Sequence, residues 1–138
     1  MKTLRLVFLA VLAALGSSCG SIPGLPNLLD NGKADLIPLP AAGFCQNGGR
    51  FLVVIRNQEA AKAEASTTRV TFSRGAAVDL ATPEVNGGRI VTLDPITIPA
   101  ECFAPDCLVT VTVDSQSNVD ESNEDNNVVE ERCALGSG

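Results

Sequence analysis

The clearest pattern in the chain is a two-residue alternation of apolar and polar side chains. In CLVTVTV, Val109, Val111 and Val113 fall on one face while Thr110 and Thr112 fall on the other, as a half-buried strand requires. The same rhythm puts Val53 and Ile55, then Val70 and Phe72, on inward faces, with Arg69 and Thr71 turned to water. Enrichment in β-branched residues between turn-forming stretches predicts seven strands. They run from Ala34 to Leu39, Phe51 to Asn57, Thr67 to Ser73, Ala77 to Ala81, Arg89 to Ile98, Leu108 to Asp114 and Asn127 to Arg132. The one helix-friendly patch, EAAKAEA from Glu59 to Ala65, is too short to hold a helix alone and reads as a connection. One wet face per strand and no covering helices predict an all-β, immunoglobulin-like antiparallel sandwich of about seven strands.

The amino terminus breaks this pattern. Lys2 and Arg5 precede an unbroken apolar run from Leu6 to Leu15, followed by small residues, which is the layout of a secretory signal peptide over residues 1–18. The run falls short of the roughly 20 apolar residues of a membrane-spanning helix. Two fates stay open after export. The run Leu15, Gly16, Ser17, Ser18, Cys19 resembles a bacterial lipobox, which makes Cys19 the lipidation site, although Leu15 stands one place further from the cysteine than usual. Ordinary cleavage after Gly16 or Ser18 gives a secreted product instead. Residues 19–33 mix Gly, Pro and Asn without periodicity and read as a flexible tether, leaving residues 34–133 for the sandwich and 134–138 as a tail.

Five cysteines complete the export picture. With Cys19 set aside, Cys45, Cys102, Cys107 and Cys133 form an even set suited to two disulfides in an oxidising compartment. If the strands alternate in direction, all four lie at one pole. Of three pairings we favour Cys102 with Cys107 and Cys45 with Cys133. A zinc site is the weaker reading, because the spacing lacks paired Cys-x-x-Cys knuckles.

Charge narrows the partners. The chain carries -6 overall; without Lys2 and Arg5, eight basic residues face sixteen acidic ones, a balance of -8. The cations are scattered singly, so the surface repels nucleic acid. The sequence has no His, Trp or Tyr, which removes the commonest general base and the best stacking surfaces for sugars.

Against this background stands VDSQSNVDESNEDNN, residues 113–127, with five carboxylates and four Asn. A calcium loop would draw on Asp114, Asp120, Glu121, Glu124 and Asp125. The twelve-residue EF-hand register beginning at Asp114 places Val119 where Gly is needed and Asp125 where Glu is needed, so only an irregular calcium site remains. No other cofactor is implied. The segment reads better as a hairpin corner, with Asn118, Asn126 and Asn127 as turn residues and the charges as solvated surface. Paired-carboxylate catalysis by Asp120 and Glu121 is disfavoured, since neither has a nearby apolar pocket to raise its pKa.

The chain resembles the CARDB domain, a bacterial module named for cell adhesion. The likeness is carried by ADLIPLP from Ala34, FLVVIRNQEAAKAEAST from Phe51, RVTFS from Arg69, TPEVNGG from Thr82 and the ending VTVDSQSNVDESNEDNN. In that ending Glu121, Ser122, Asn123, Glu124, Asn126 and Asn127 keep the family order. CFAPDC and the other cysteines depart from the general pattern. The resemblance implies an immunoglobulin-like sandwich acting as a non-catalytic binding or spacer domain in the cell envelope or secreted, and transfers no individual functional residue. The partner expected is a protein or cell-surface ligand, met at an acidic pole built from the Glu59–Ala65, Glu84–Gly88 and Ser115–Asn126 loops. Membrane contact is expected only through a lipid on Cys19.

Overall fold

The computed structural model describes residues 32–39, 49–103 and 106–134. The predicted leader, most of the predicted tether, Cys19, Cys45 and the residues from 135 onward lie outside the described residues. Among the described residues no helix is long and apolar enough to cross a membrane.

Among the described residues nine strand segments form, β1 (Leu36–Leu39), β2 (Arg50–Phe51), β3 (Val54–Asn57), β4 (Ser66–Phe72), β5 (Val78–Thr82), β6 (Ile90–Thr92), β7 (Ile96–Thr97), β8 (Asp106–Thr112) and β9 (Val128–Ala134), with a short 3₁₀ turn at Ala100–Phe103. The pairings among these strands are antiparallel. One sheet runs β5-β4-β8-β9; another runs β1-β3-β6, with β2-β7 as a separate pair. The register explains that separation. Phe51 pairs with Ile96 and Val54 with Thr92, so two residues on one side face three on the other. Leu93 N–H still donates to Val53 O at 2.9 Å. The β2–β7 and β3–β6 pairs are thus one ladder interrupted by a bulge.

Two predicted strands, Phe51–Asn57 and Arg89–Ile98, are corrected by this bulge: each is split in two. Pro95 has no N–H to offer a ladder, which accounts for the break beside it. Joined across the bulge, the segments make seven strands in two layers, the expected immunoglobulin-like sandwich.

The core lies between the layers. Leu36, Phe51, Val53, Ile55, Leu93, Ile96 and Ile98 face Val70, Phe72, Val109, Val111 and Val113, all buried in one cluster. Alternation put Val53, Ile55, Val70, Phe72, Val109, Val111 and Val113 there for a simple reason. Each strand has one side available for burial, and burying a valine-sized side chain favours the fold by about 1.5 kcal/mol or more. Arg69 stays exposed and pairs with Asp79 on β5 at 2.7 Å.

The strands' alternating directions sort the loops into two poles. Cys102 and Cys107 form a disulfide with Cα atoms 4.7 Å apart, closing the 3₁₀ turn onto the start of β8. Cys107 stands opposite Cys133 in the β8–β9 ladder. Cys133 is itself disulfide-bonded, and its partner lies outside the described residues.

Candidate functional site

At the opposite pole the connections are knitted together by polar groups taken out of water. Ala63 and Val85 exchange backbone hydrogen bonds at 2.9 and 3.0 Å, and Gly88 N–H donates to Glu59 O at 2.9 Å. The two loops come so close that a Cβ on Gly87 would stand 2.0 Å from the Ala60 carbonyl oxygen. Asn57, wholly buried at the end of β3, anchors this join. Its Nδ2 donates to Ala61 O at 2.6 Å and Val85 O at 2.9 Å, while its Oδ1 accepts from Asp35 N at 3.2 Å and Glu59 N at 3.3 Å. All four hydrogen-bonding positions of the amide are filled.

The acidic segment departs from a solvated corner. Asp114, 3 % exposed, has a positive φ of 45°, a conformation that Asp tolerates better than most residues. Its carboxylate accepts from Asn118 N at 3.0 Å and Val119 N at 2.8 Å, so the turn closes around it. Glu121, 4 % exposed, reaches back across the sandwich. Its Oε2 accepts from the backbone N–H of Leu36, and its Oε1 accepts from Asn127 Nδ2 at 3.0 Å. Ala34 and Glu121 form a parallel bridge, and Ser122 N–H donates to Ala34 O at 2.9 Å. Asp35 is also buried and accepts from Gln58 Nε2 at 2.6 Å and Asn126 Nδ2 at 3.0 Å.

Two expectations are corrected here. Of the five carboxylates expected on solvated surface, Asp114 and Glu121 lie inside. Nor does Glu121 lack an environment that raises its pKa: burial pushes it up to about 7, against the hydrogen bonds from Leu36 and Asn127, with the charges of Glu124 and Asp114 adding to the rise. Of the turn residues, Asn118 contributes its backbone N–H to Asp114. Asn126 and Asn127 use their side chains on carboxylates.

The remaining acids stay in water. Asp120 pairs with Lys33 at 2.6 Å, and Glu124 Oε1 accepts from Glu121 N at 3.0 Å. Lys62 bridges Glu64 and Glu84 at 3.0 Å each, and those two carboxylates raise its pKa. Asp125 is exposed. Among the described residues no group of three or more His, Cys, Asp or Glu is placed to hold a metal ion. The oxygens of Asp114 and Glu121 accept hydrogen bonds from N–H donors.

Sequence reasoning overlooked Asp35 and Asn57, which join the loops to each other. Both lie in segments that carry the family resemblance, ADLIPLP and FLVVIRNQEAAKAEAST. A polar residue ending an apolar strand was the available signal.

A two-layer sandwich with one disulfide-closed end and one end tied by buried amides and carboxylates defines an immunoglobulin-like β-sandwich domain. The family model that matches, CARDB, spans residues 33–131, and the chain belongs to the CARDB family. The fold is similar to the solution NMR structure of residues 272–376 of a presumed cell surface protein from Methanosarcina acetivorans. The TM-score is 0.64 at 18 % identity, covering 77 % of this chain and 95 % of that one. No curated protein matches the chain.

Proposed function

We propose that this chain is a non-catalytic binding module working outside the cytoplasm, and that it meets a protein or surface ligand through its acidic pole. One observation carries the reading: the exposed acids Glu84, Asp120, Glu124 and Asp125 stand on loops whose backbone is fixed from beneath by Asn57, Asp35, Asp114 and Glu121. A contact surface held in one shape loses less entropy on binding. Burying that many polar groups is more than a simple connector needs. The leader-like amino terminus and the Cys102–Cys107 disulfide support an oxidising location, with Cys19 as a lipid anchor. Intact mass of the exported protein, with and without reductant, reports the lipid and the number of disulfides together. Glu121, the one acid with a raised pKa among the described residues, is aimed at Leu36 and Asn127, which supports a structural rather than a catalytic role.

The decisive experiment neutralises Glu84, Glu124 and Asp125 together, as Gln, Gln and Asn, and measures attachment of intact cells displaying the protein. Loss of attachment with an unchanged melting temperature supports the contact surface. Unchanged attachment supports a second reading, a passive spacer. That reading is favoured by the chain entering at the acidic pole beside Glu121 and leaving β9 at the cysteine pole, which adds the full length of the sandwich to any array.

A further inference from the structure

Three polar groups meet where the chain enters the sandwich: the backbone N–H of Leu36, the carboxyl of Glu121 and the side-chain amide of Asn127. The amide is 6 % exposed, yet its Oδ1 is a buried oxygen with no hydrogen-bond partner. Such an orphan costs about 1–3 kcal/mol. That oxygen can be brought onto Glu121 without moving the backbone, because the two ends of an amide exchange places by a half-turn. Turned over, Asn127 offers Oδ1 to Glu121, and a protonated Oε1 donates to it. The spot left by Oδ1 supplies no donor, so the incoming NH₂ displaces no hydrogen bond there.

We propose that Glu121 is a proton-operated clasp: as a neutral acid it accepts the Leu36 N–H through Oε2 and donates Oε1–H to Asn127 Oδ1, and loss of that proton loosens the join between entry strand and final loop. The surrounding charges fit. They are Asp114 after β8, Asp120 and Glu124 in its own loop, and Lys33 and Asp35 leading into β1, where Lys33 pairs with Asp120 and Asp35 is held by Gln58 and Asn126. The two charges that act most on Glu121, those of Glu124 and Asp114, both oppose its ionisation.

With a folded pKa raised to about 7 from the ordinary value of 4.5, the folded chain holds a proton that the unfolded chain has released between those values. The stabilisation is therefore complete at and below pH 4.5 and is lost as pH rises through 7.

The test compares the exported full chain with Glu121→Gln, whose amide reproduces the neutral acid's acceptor and donor. Thermal unfolding is followed from pH 4.5 to 8.5, and amide exchange at Leu36 is corrected for its intrinsic pH dependence. Wild type is expected to lose about 5 °C or more between pH 5 and 8, and Leu36 protection to drop with it. Glu121→Gln is expected to keep at pH 8 the melting temperature and Leu36 protection that wild type shows at pH 5. A Gln variant less stable than wild type at pH 8 overturns the clasp. So does a calcium-induced rise in wild-type melting temperature at pH 8 that the Gln variant lacks, since it would make Glu121 an ionised ligand. If the variant does not fold, the carboxyl ¹³C titration of wild-type Glu121 decides: a midpoint near 7 supports the clasp and one near 4.5 ends it.

Discussion

The side-chain amide of Asn57 donates to the carbonyl of Val85 at 2.9 Å across 28 residues of sequence. This bond and its companion to Ala61 O make one loop's conformation depend on the other's. Asn57→Ala leaves two carbonyls and the amides of Asp35 and Glu59 without this partner. The expected loss is about 3 kcal/mol in urea unfolding. Asn57→Asp should cost at least as much, because it sets a carboxylate against the two carbonyls.

Asp114 closes its turn with both carboxylate oxygens at a positive φ. Asp114→Asn keeps one acceptor and tolerance of that backbone, so the expected cost is about 1 kcal/mol. Asp114→Ala strands the buried amide of Val119 and the partly buried amide of Asn118 and adds backbone strain, for about 2–3 kcal/mol. The order Ala worse than Asn, read from denaturation midpoints, checks the assignment; equal midpoints count against it.

Neighbouring glycines should behave differently for separate reasons. A Cβ on Gly87 meets the Ala60 backbone, whereas one on Gly88 meets open space but must accept a φ of +70°. Gly88→Ala is expected to cost about 1 kcal/mol. Gly87→Ala must push the two loops apart, so its melting temperature should fall further and the Ala63–Val85 amides should lose exchange protection.

Replacing Cys102 and Cys107 together by Ser opens a short loop. The chain-entropy relation assigns its closure about 2 kcal/mol. Thermal melting of the double variant should show a loss of that size, with the acidic-pole amides as protected as in wild type.

Much of this architecture was legible in the sequence because a sheet's side-chain period is local: Val109, Val111 and Val113 could share a face only as a strand. Pro95 carried the signal for the bulge, but where a ladder breaks depends on the partner strand's register. The acidic segment was harder. Asp114 and Glu121 have the composition of surface residues, and what draws them inside is a set of N–H donors, some distant in sequence. The amide of Leu36 lies 85 residues from Glu121, and nothing near Glu121 announces it. Asp120, Glu124 and Asp125 stay in water as their composition suggests, Glu124 taking only the nearby backbone N–H of Glu121.

Entry beside Glu121 and exit beside Cys107 also give the molecule a mechanical direction. Tension applied at Lys33 and Cys133 would run along the strands, at right angles to the antiparallel hydrogen bonds joining β1 to β3. Such a load shears several bonds at once instead of peeling them one by one. A tethered copy would therefore resist dragging forces best when stretched lengthwise, with the Ala34–Glu121 bridge as the first link to bear the strain.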